Sequence, residues 1–291
     1  MRFSLETVIG PIFVVIWSTG FIIARLSMPY VEPATFLLWR FAGVLLAMGM
    51  LSLIWRPVWP RWSLAWHIGV AGALLQFGYL LGVWCAVRFG MSAGLAALIV
   101  GLQPILTAWW SSWIAEHVSR RQWLGLALGF IGVAFVVFEK TNFVRLPLAS
   151  YLLIFGALLS ITLGTLYQKK FCASFDLRAG SLIQFAVAAV LTAITVALFE
   201  TGKMVWNWQV ITALIWAIAL LSIGSVSLLF LLIRKGTATR VTSLLYLTPP
   251  TTAVMAWLGF DEPLTMLMIF GILLTMAGVL LVNQKTKEIT L

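Results

Sequence analysis

Long apolar runs alternate with short polar connections along the whole chain. Ten runs stand out, at roughly 7–24, 35–55, 64–87, 91–114, 122–138, 149–168, 181–199, 210–233, 241–259 and 264–283. Most approach the roughly twenty residues that an α-helix needs to cross a hydrocarbon core. They are too long and too continuous for barrel strands, and an open strand in lipid would leave backbone groups unsatisfied. The pattern predicts an all-α integral membrane protein with ten transmembrane helices. The run from Thr7 to Ala24 follows one basic residue, Arg2, and carries no small-residue cleavage site, so it reads as the first span rather than a removed signal.

Composition agrees. Of 291 residues, 62% are hydrophobic and 10% charged, and the mean hydropathy is +1.04. That polar complement is too small for a cytosolic enzyme, a secreted domain or a disordered chain. The net charge of +10 does not point to nucleic acid, because the basic residues stand singly between apolar runs and form no stripe. They set topology instead. With the N-terminus inside, thirteen basic residues fall in cytoplasmic segments (Arg2, Arg56, Arg61, Arg120, Arg121, Lys169, Lys170, Arg178, Arg234, Lys235, Arg240, Lys285, Lys287). Five fall outside (Arg25, Arg88, Lys140, Arg145, Lys203), and Arg40 lies within the second span. Both termini are therefore expected in the cytoplasm. Cys85 and Cys172 fall on opposite sides and are expected to be free thiols.

The chain also repeats itself. A shift of 146 positions superposes Arg88 on Arg234, Gly90 on Gly236, Pro104 on Pro250, Glu116 on Glu262, Gly125 on Gly271 and Gly132 on Gly278. Earlier segments align at a shift of 144, with Gly20 on Gly164, Arg25 on Lys169 and Phe41 on Phe185. Registered glycines, a proline and a lone loop glutamate are not the matches that two unrelated apolar helices make by chance. The reading is two homologous five-helix halves, 1–140 and 147–285. Five is odd, so the halves cross the membrane in opposite senses. Inverted repeats characterise alternating-access carriers, whose site lies between the halves near mid-membrane.

The passages RFGMSAGLAALIVGLQPILTAWWSSWIAEHVSRRQWLGLALGFIGVAFVVF and RKGTATRVTSLLYLTPPTTAVMAWLGFDEPLTMLMIFGILLTMAGVLLV resemble the EamA repeat of the drug/metabolite transporter superfamily. Each has a proline in the fourth helix, a glutamate after it and spaced glycines in the fifth. WSTGFIIARL in helix 1 and Trp39-Arg40-Phe41 in helix 2 also look like that family, and the finer resemblance is to YddG-type amino-acid exporters. The resemblance covers nearly the whole chain. It implies ten helices in two inverted repeats, a bacterial inner (plasma) membrane location and efflux of small metabolites. Substrates vary within the superfamily, so fold alone does not choose one.

All nine acidic residues fall in loops, tails or span ends. No intramembrane carboxylate offers a proton or cation relay, unlike the first-helix glutamate of the small multidrug relatives. Arg40 reads either as a buried arginine that caps carbonyls or snorkels, or as a carboxylate contact or gate. The other candidates are neutral or aromatic. Gln76 and Tyr79 share a face of helix 3, and their repeat mates Ser222 and Ser225 share a face of helix 8. Trp17 and Ser18 lie in helix 1, and Tyr167 in helix 6. Gln103, Tyr246 and Thr248 flank Pro104, Pro249 and Pro250, each of which frees a carbonyl one turn upstream and so offers a kink that lines the site, or a static bend. Trp17, Tyr79 and Tyr246 form either a stacking wall or plain core bulk. Among the fifteen tryptophans, Trp55, Trp59, Trp62, Trp66, Trp123, Trp206 and Trp208 cluster at span ends as an aromatic belt. Helices 5 and 10 are nearly free of polar residues and belong at the periphery. Gly125-x-x-x-Gly129 permits close packing, within the molecule before between molecules.

The expected function is secondary export of small neutral or zwitterionic metabolites, amino acids including aromatic ones foremost. Other metabolites or lipophilic cationic drugs are the alternative cargo. A channel is a less favoured class, and so is an intramembrane enzyme: the two histidines, His67 and His117, stand apart, and no H-E-x-x-H pattern occurs. No metal or other cofactor is called for. The expected partners are a small-molecule substrate and the bilayer, with no nucleic acid, for a monomer. Transport direction, coupling ion and resting conformation are not encoded legibly.

Overall fold

The computed structural model describes residues 5–103, 105–107, 110, 120–143, 146–172, 174–225, 228 and 247–283. Helical segments fall in each of the ten apolar intervals. They are α1 (Leu5–Ser27), α2 (Pro33–Trp55), α3 (Trp62–Arg88), α4 (Ala93–Val100), α5 (Arg120–Phe143), α6 (Leu148–Phe171), α7 (Leu177–Phe199), α8 (Trp208–Gly224), α9 (Thr248–Phe260) and α10 (Met266–Asn283). Among the described residues the extended pairing is a single antiparallel bridge, Val31 to Met204. By length and composition, α1, α2, α3, α6 and α7 suffice to cross a membrane, and α4, α5, α8 and α10 contribute shorter apolar helices. Large apolar side chains cover the exterior, among them Leu46, Met50, Leu53 and Ile54 of α2 and Leu273 and Leu280 of α10. A surface of this kind is stable against lipid tails and unstable against water.

Local chemistry sets the helix ends. Ser92 caps α4 by accepting from Leu95 N at 3.3 Å, and Asn207 caps α8 by accepting from Val210 N at 2.9 Å. Pro33 opens α2, where its missing N–H costs nothing. Gly90, with φ +95°, turns the chain from α3 into α4 in a conformation that a side chain would strain. Two helices borrow their caps from the other half of the sequence. The Glu200 carboxylate accepts from Ala34 N at 2.8 Å and Thr35 N at 2.7 Å at the start of α2, and Glu262 accepts from Ala93 N at 3.2 Å at the start of α4. A carboxylate suits these positions, since a helix N-terminus carries unsatisfied N–H groups and the positive end of the dipole.

α5 and α10 pack chiefly on each other, apart from the central helices. A Cβ built on Gly132 would fall 2.5 Å from the Gly271 carbonyl oxygen, and one built on Gly278 would fall 2.5 Å from Gly129 N and also meet the Gly125 carbonyl. Backbone therefore rests on backbone, and the Gly125-x-x-x-Gly129 spacing serves a contact within the molecule. Residue numbers rise on α5 while they fall on α10, so the two helices run antiparallel. α2 and α7 do the same. Glu200, at the end of α7, caps the start of α2, while Asp176, just before α7, accepts from Val58 N at 3.1 Å just after α2. Between these ends the rings of Phe41 and Phe185 meet, 5.8 Å apart.

Those pairs are mates in the sequence repeat. Gly132 meets Gly271 as Gly278 meets Gly125, and Phe41 meets its own mate. An object that touches its own mate lies on the axis relating the two copies, so contacts across such an axis come in reciprocal pairs. The same holds deeper in: Gly164 packs on Leu75, and their mates Gly20 and Leu221 pack on each other.

Candidate functional site

Corresponding helices α3 and α8 each change winding at the same place in the repeat. α3 is π-helical over Ala73–Gly78, and α8 over Ala217–Gly224. A π-helical turn adds a residue, redirects the side chains around it and is found often at functional sites. These turns contain Gln76 and Ser222 and lead directly into Tyr79 and Ser225, the four polar positions that the repeat had paired. Ser160 of α6 donates to the Leu74 carbonyl at 2.8 Å, so α6 supports the altered winding of α3. The winding change itself was not read from the sequence. Its signal was the mated Gly78 and Gly224 beside the mated polar pairs.

Several candidates converge around the crossing of α2 and α7. Arg40 lies one residue before Phe41, is 6% exposed, and donates from Nε to Ser222 Oγ at 3.1 Å. Tyr79 is buried within electrostatic reach of that guanidinium, and Ser222 is buried as well. Gln76 is half-buried nearby along α3. Position 184, the mate of Arg40, is a buried glutamine that donates to Gln168 Oε1 at 2.8 Å. This second polar pair went unnoticed in the sequence, because a glutamine among apolar residues gives no pattern on its own.

Other candidates pin one helix to another. Gln103 donates to Thr165 at 3.0 Å, linking the segment after α4 to α6. Ser18 is fully buried, donates to the Val14 carbonyl at 2.7 Å, and accepts at its own carbonyl from Thr252 at 3.4 Å, which holds α1 against α9. The Thr248 hydroxyl is buried without a hydrogen-bond partner among the described residues. Trp17 is half-buried and packs on Phe13, 5.6 Å away, in a cluster with Ile9 and Val14. Tyr167 sits elsewhere: its hydroxyl meets His67 Nδ1 at 2.7 Å near the start of α3, and Phe171 stacks on the His67 ring.

The prolines mark helix breaks. α4 ends at Val100, the residue whose carbonyl a proline at 104 cannot engage, and a turn follows at Gly101 and Leu102. Pro249 and Pro250 lie in the first turn of α9, where a missing N–H is tolerated. Pro249 also fits against Gly101, where a Cβ would come within 2.6 Å of its ring. Pro104 and Tyr246 lie outside the described residues.

Negative charge is kept at the ends. The described acids Glu32, Asp176, Glu200, Asp261 and Glu262 sit at helix ends or in loops, and Glu139 lies near the end of α5. At one end the connection after α1 and the one after α7 are tied together. Glu32 accepts from Thr201 N at 2.9 Å, Glu200 also accepts from the Thr35 hydroxyl at 2.7 Å, and Val205 N donates to the Tyr30 carbonyl at 3.0 Å. At the other end of α2 and α7, Asp176 holds Val58 and pairs with Arg178 at 3.0 Å, which keeps its carboxyl near a pKa of about 2. Among the described residues, no three His, Cys, Asp or Glu side chains converge as a metal-binding group.

An all-helical molecule with an apolar exterior, reciprocal packing of repeated segments and a polar layer at their crossing is the architecture of a multi-pass membrane transporter. Residues 8–138 and 148–284 each match the EamA-like transporter family, and the chain belongs to it. It is similar to the uncharacterized transporter YvbV of Bacillus subtilis, at 29% identity over 94% of this chain and 90% of that one. It is also similar to a probable amino-acid metabolite efflux pump of Escherichia coli, at 24% identity over 94% of this chain and 93% of that one. A counterpart of the same description from Salmonella typhimurium is 28% identical over 54% of this chain and 51% of that one. A crystal structure 18% identical to this chain shares the fold, with a TM-score of 0.70 over 97% of this chain and 99% of that one.

Proposed function

We propose that this protein exports amino acids or close metabolites of them by alternating access, as two inverted five-helix repeats (1–140 and 147–285) that rock about a central site. The observation that carries this reading is the reciprocal, antiparallel contact of repeat mates: Gly132 with Gly271, Gly278 with Gly125, and Phe41 with Phe185. Two copies related by an axis in the membrane plane have equivalent inward- and outward-facing arrangements, which is the geometry that alternating access requires. In this reading ten helices span the membrane with both termini in the cytoplasm, and the protein works as a monomer. The relatives named as amino-acid metabolite efflux pumps support the cargo class.

The site in this reading is the layer of Arg40, Gln76, Tyr79 and Ser222, with Trp17 and Gln103 towards its edges. Aromatic rings beside neutral amide and hydroxyl groups suit a small substrate with an apolar or aromatic side chain. Pro104, Pro249 and Pro250 serve as the bends of the fourth and ninth helices. Counterflow in proteoliposomes tests the reading. Vesicles loaded with unlabelled phenylalanine or leucine should accumulate the labelled amino acid transiently, and Trp17→Ala or Tyr79→Ala should lower that accumulation at least tenfold. Absence of counterflow with every amino acid, from protein shown to be folded, would remove amino acids as the cargo. Flux that neither saturates nor shows counterflow would make it a channel.

A further inference from the structure

The guanidinium of Arg40 has five N–H donors, and one of them has a partner among the described residues. Nε donates to Ser222, and no carboxylate or carbonyl among the described residues engages the two terminal nitrogens. The side chain is nonetheless 6% exposed. It flanks Phe41, which touches its own repeat mate, so Arg40 lies beside the axis between the halves rather than near either end of the molecule. Long basic side chains near span ends can snorkel to the interface, but one at the axis cannot. A buried arginine with a purely structural role is expected to tie up its fork on backbone carbonyls or on an acid. This fork is open.

The repeat sharpens the point. The mate of Arg40 is Gln184, a neutral residue satisfied by Gln168 at 2.8 Å. Packing on the two sides of the axis is alike, yet the positive charge stands on one side alone. Ser222 holds the Nε edge, which fixes the plane of the guanidinium and leaves its end face free. That face matches two carboxylate oxygens through parallel N–H bonds. Tyr79 places a phenolic hydroxyl in the same buried neighbourhood. The described acids are all at helix ends or in loops, so none of them stands there to meet an ammonium group.

We propose that Arg40 binds the carboxylate of the substrate, and that the cargo is a monocarboxylate with an apolar or aromatic side chain for which the α-ammonium group is optional. This rests on the reading of a carrier with its site between the repeats. Ser222 acts as the positioning residue for the guanidinium. The transported class then extends from amino acids to hydroxy acids of the same skeleton, and excludes amides and amines.

The test is counterflow with four phenylalanine-series probes and their leucine equivalents: the amino acid, its 2-hydroxy acid, its carboxamide and the decarboxylated amine. Wild-type protein should exchange both acids at rates within about threefold of each other, and the carboxamide and amine at least tenfold more slowly. Arg40→Gln, which copies the mate, should bring the acid-to-amide ratio close to one, whereas a merely structural arginine would lower all rates together and keep the ratio. Arg40→Lys should retain part of the preference. If Arg40→Gln does not fold, Ser222→Ala supplies the readout, with KM for both acids raised several-fold and KM for the carboxamide unchanged. Equal exchange of acid and carboxamide by wild-type protein would overturn the proposal and leave amino-acid transport standing. Exchange of hydroxy acids without amino acids would remove amino acids as cargo while upholding the role of Arg40. Exchange of no carboxylate at all would end it.

Discussion

Gly164 of α6 meets Leu75 of α3, and Gly20 of α1 meets Leu221 of α8: one contact between the repeats made twice, with their parts exchanged. Where the same mates carry polar side chains, the two repeats part. The second helix of the first repeat presents Arg40 to Ser222, and the second helix of the other presents Gln184 to Gln168. Packing constrains both copies equally, because the same axis must relate their backbones. The proposed chemistry needs only one arginine, since a single carboxylate would bind to it. The positions that kept their symmetry therefore describe the frame, and those that lost it describe the cargo.

The frame is the easiest to break. At α5 and α10, backbone lies on backbone, so Gly132→Leu and Gly278→Leu should each force the helices apart at a cost of about 3 kcal/mol. Thermal unfolding in detergent should show equal losses for the two mates. A large loss from one with none from the other would mean that the two contacts are not equivalent.

A smaller difference separates the two ends of α2 and α7. Glu200 supplies three hydrogen bonds to Ala34 and Thr35, so Glu200→Ala should cost about 1–2 kcal/mol, in line with loss of a charged cap. Ser160→Ala removes the donor to the Leu74 carbonyl and should cost about 1 kcal/mol, which is typical of a hydrogen bond between membrane helices. Asp176→Ala at the opposite end should cost about 0.5–1 kcal/mol, because the carboxylate caps α7 at Arg178 N, 2.9 Å away, and holds Val58 N, while its pairing with the solvated Arg178 side chain adds little. The depressed pKa of Asp176, about 2, fixes the sign of its pH dependence. A lowered carboxyl stabilises above its ordinary titration range and loses that contribution as pH falls towards 2, so the contact with Val58 should persist at pH 4. Chemical shifts or cross-linking at that connection would report it.

Much of the frame was legible in the sequence because lipid leaves few choices. Apolar runs of spanning length must be helices, and registered Gly125, Gly132, Gly271 and Gly278 announced the repeat before any contact was known. The peripheral place of α5 and α10 followed from their lack of polar residues. The site was legible only in part. Arg40, Gln76, Tyr79 and Ser222 stood out as polar residues in apolar runs, and of these Arg40 and Ser222 are hydrogen-bonded, with Tyr79 buried within electrostatic reach. Tyr167 stood out equally and pairs instead with His67, because a residue's depth along its helix does not say which neighbour it faces. The π-helical turns were not read from the sequence, since the mated Gly78 and Gly224 mark a place in the repeat but not a winding; in α3 the turn is met by Gly164 and Ser160 of another helix. Gln184 was missed for the opposite reason: its importance lies in what its mate is.

The most direct measurement asks whether the central layer faces both sides in turn. A single cysteine at Gln76, in protein carrying Cys85→Ser and Cys172→Ser, would be exposed to a membrane-impermeant maleimide in right-side-out and in inverted vesicles. The account predicts labelling from both sides, slowed by phenylalanine or its hydroxy acid. Labelling from one side alone, unchanged by either acid, would contradict it.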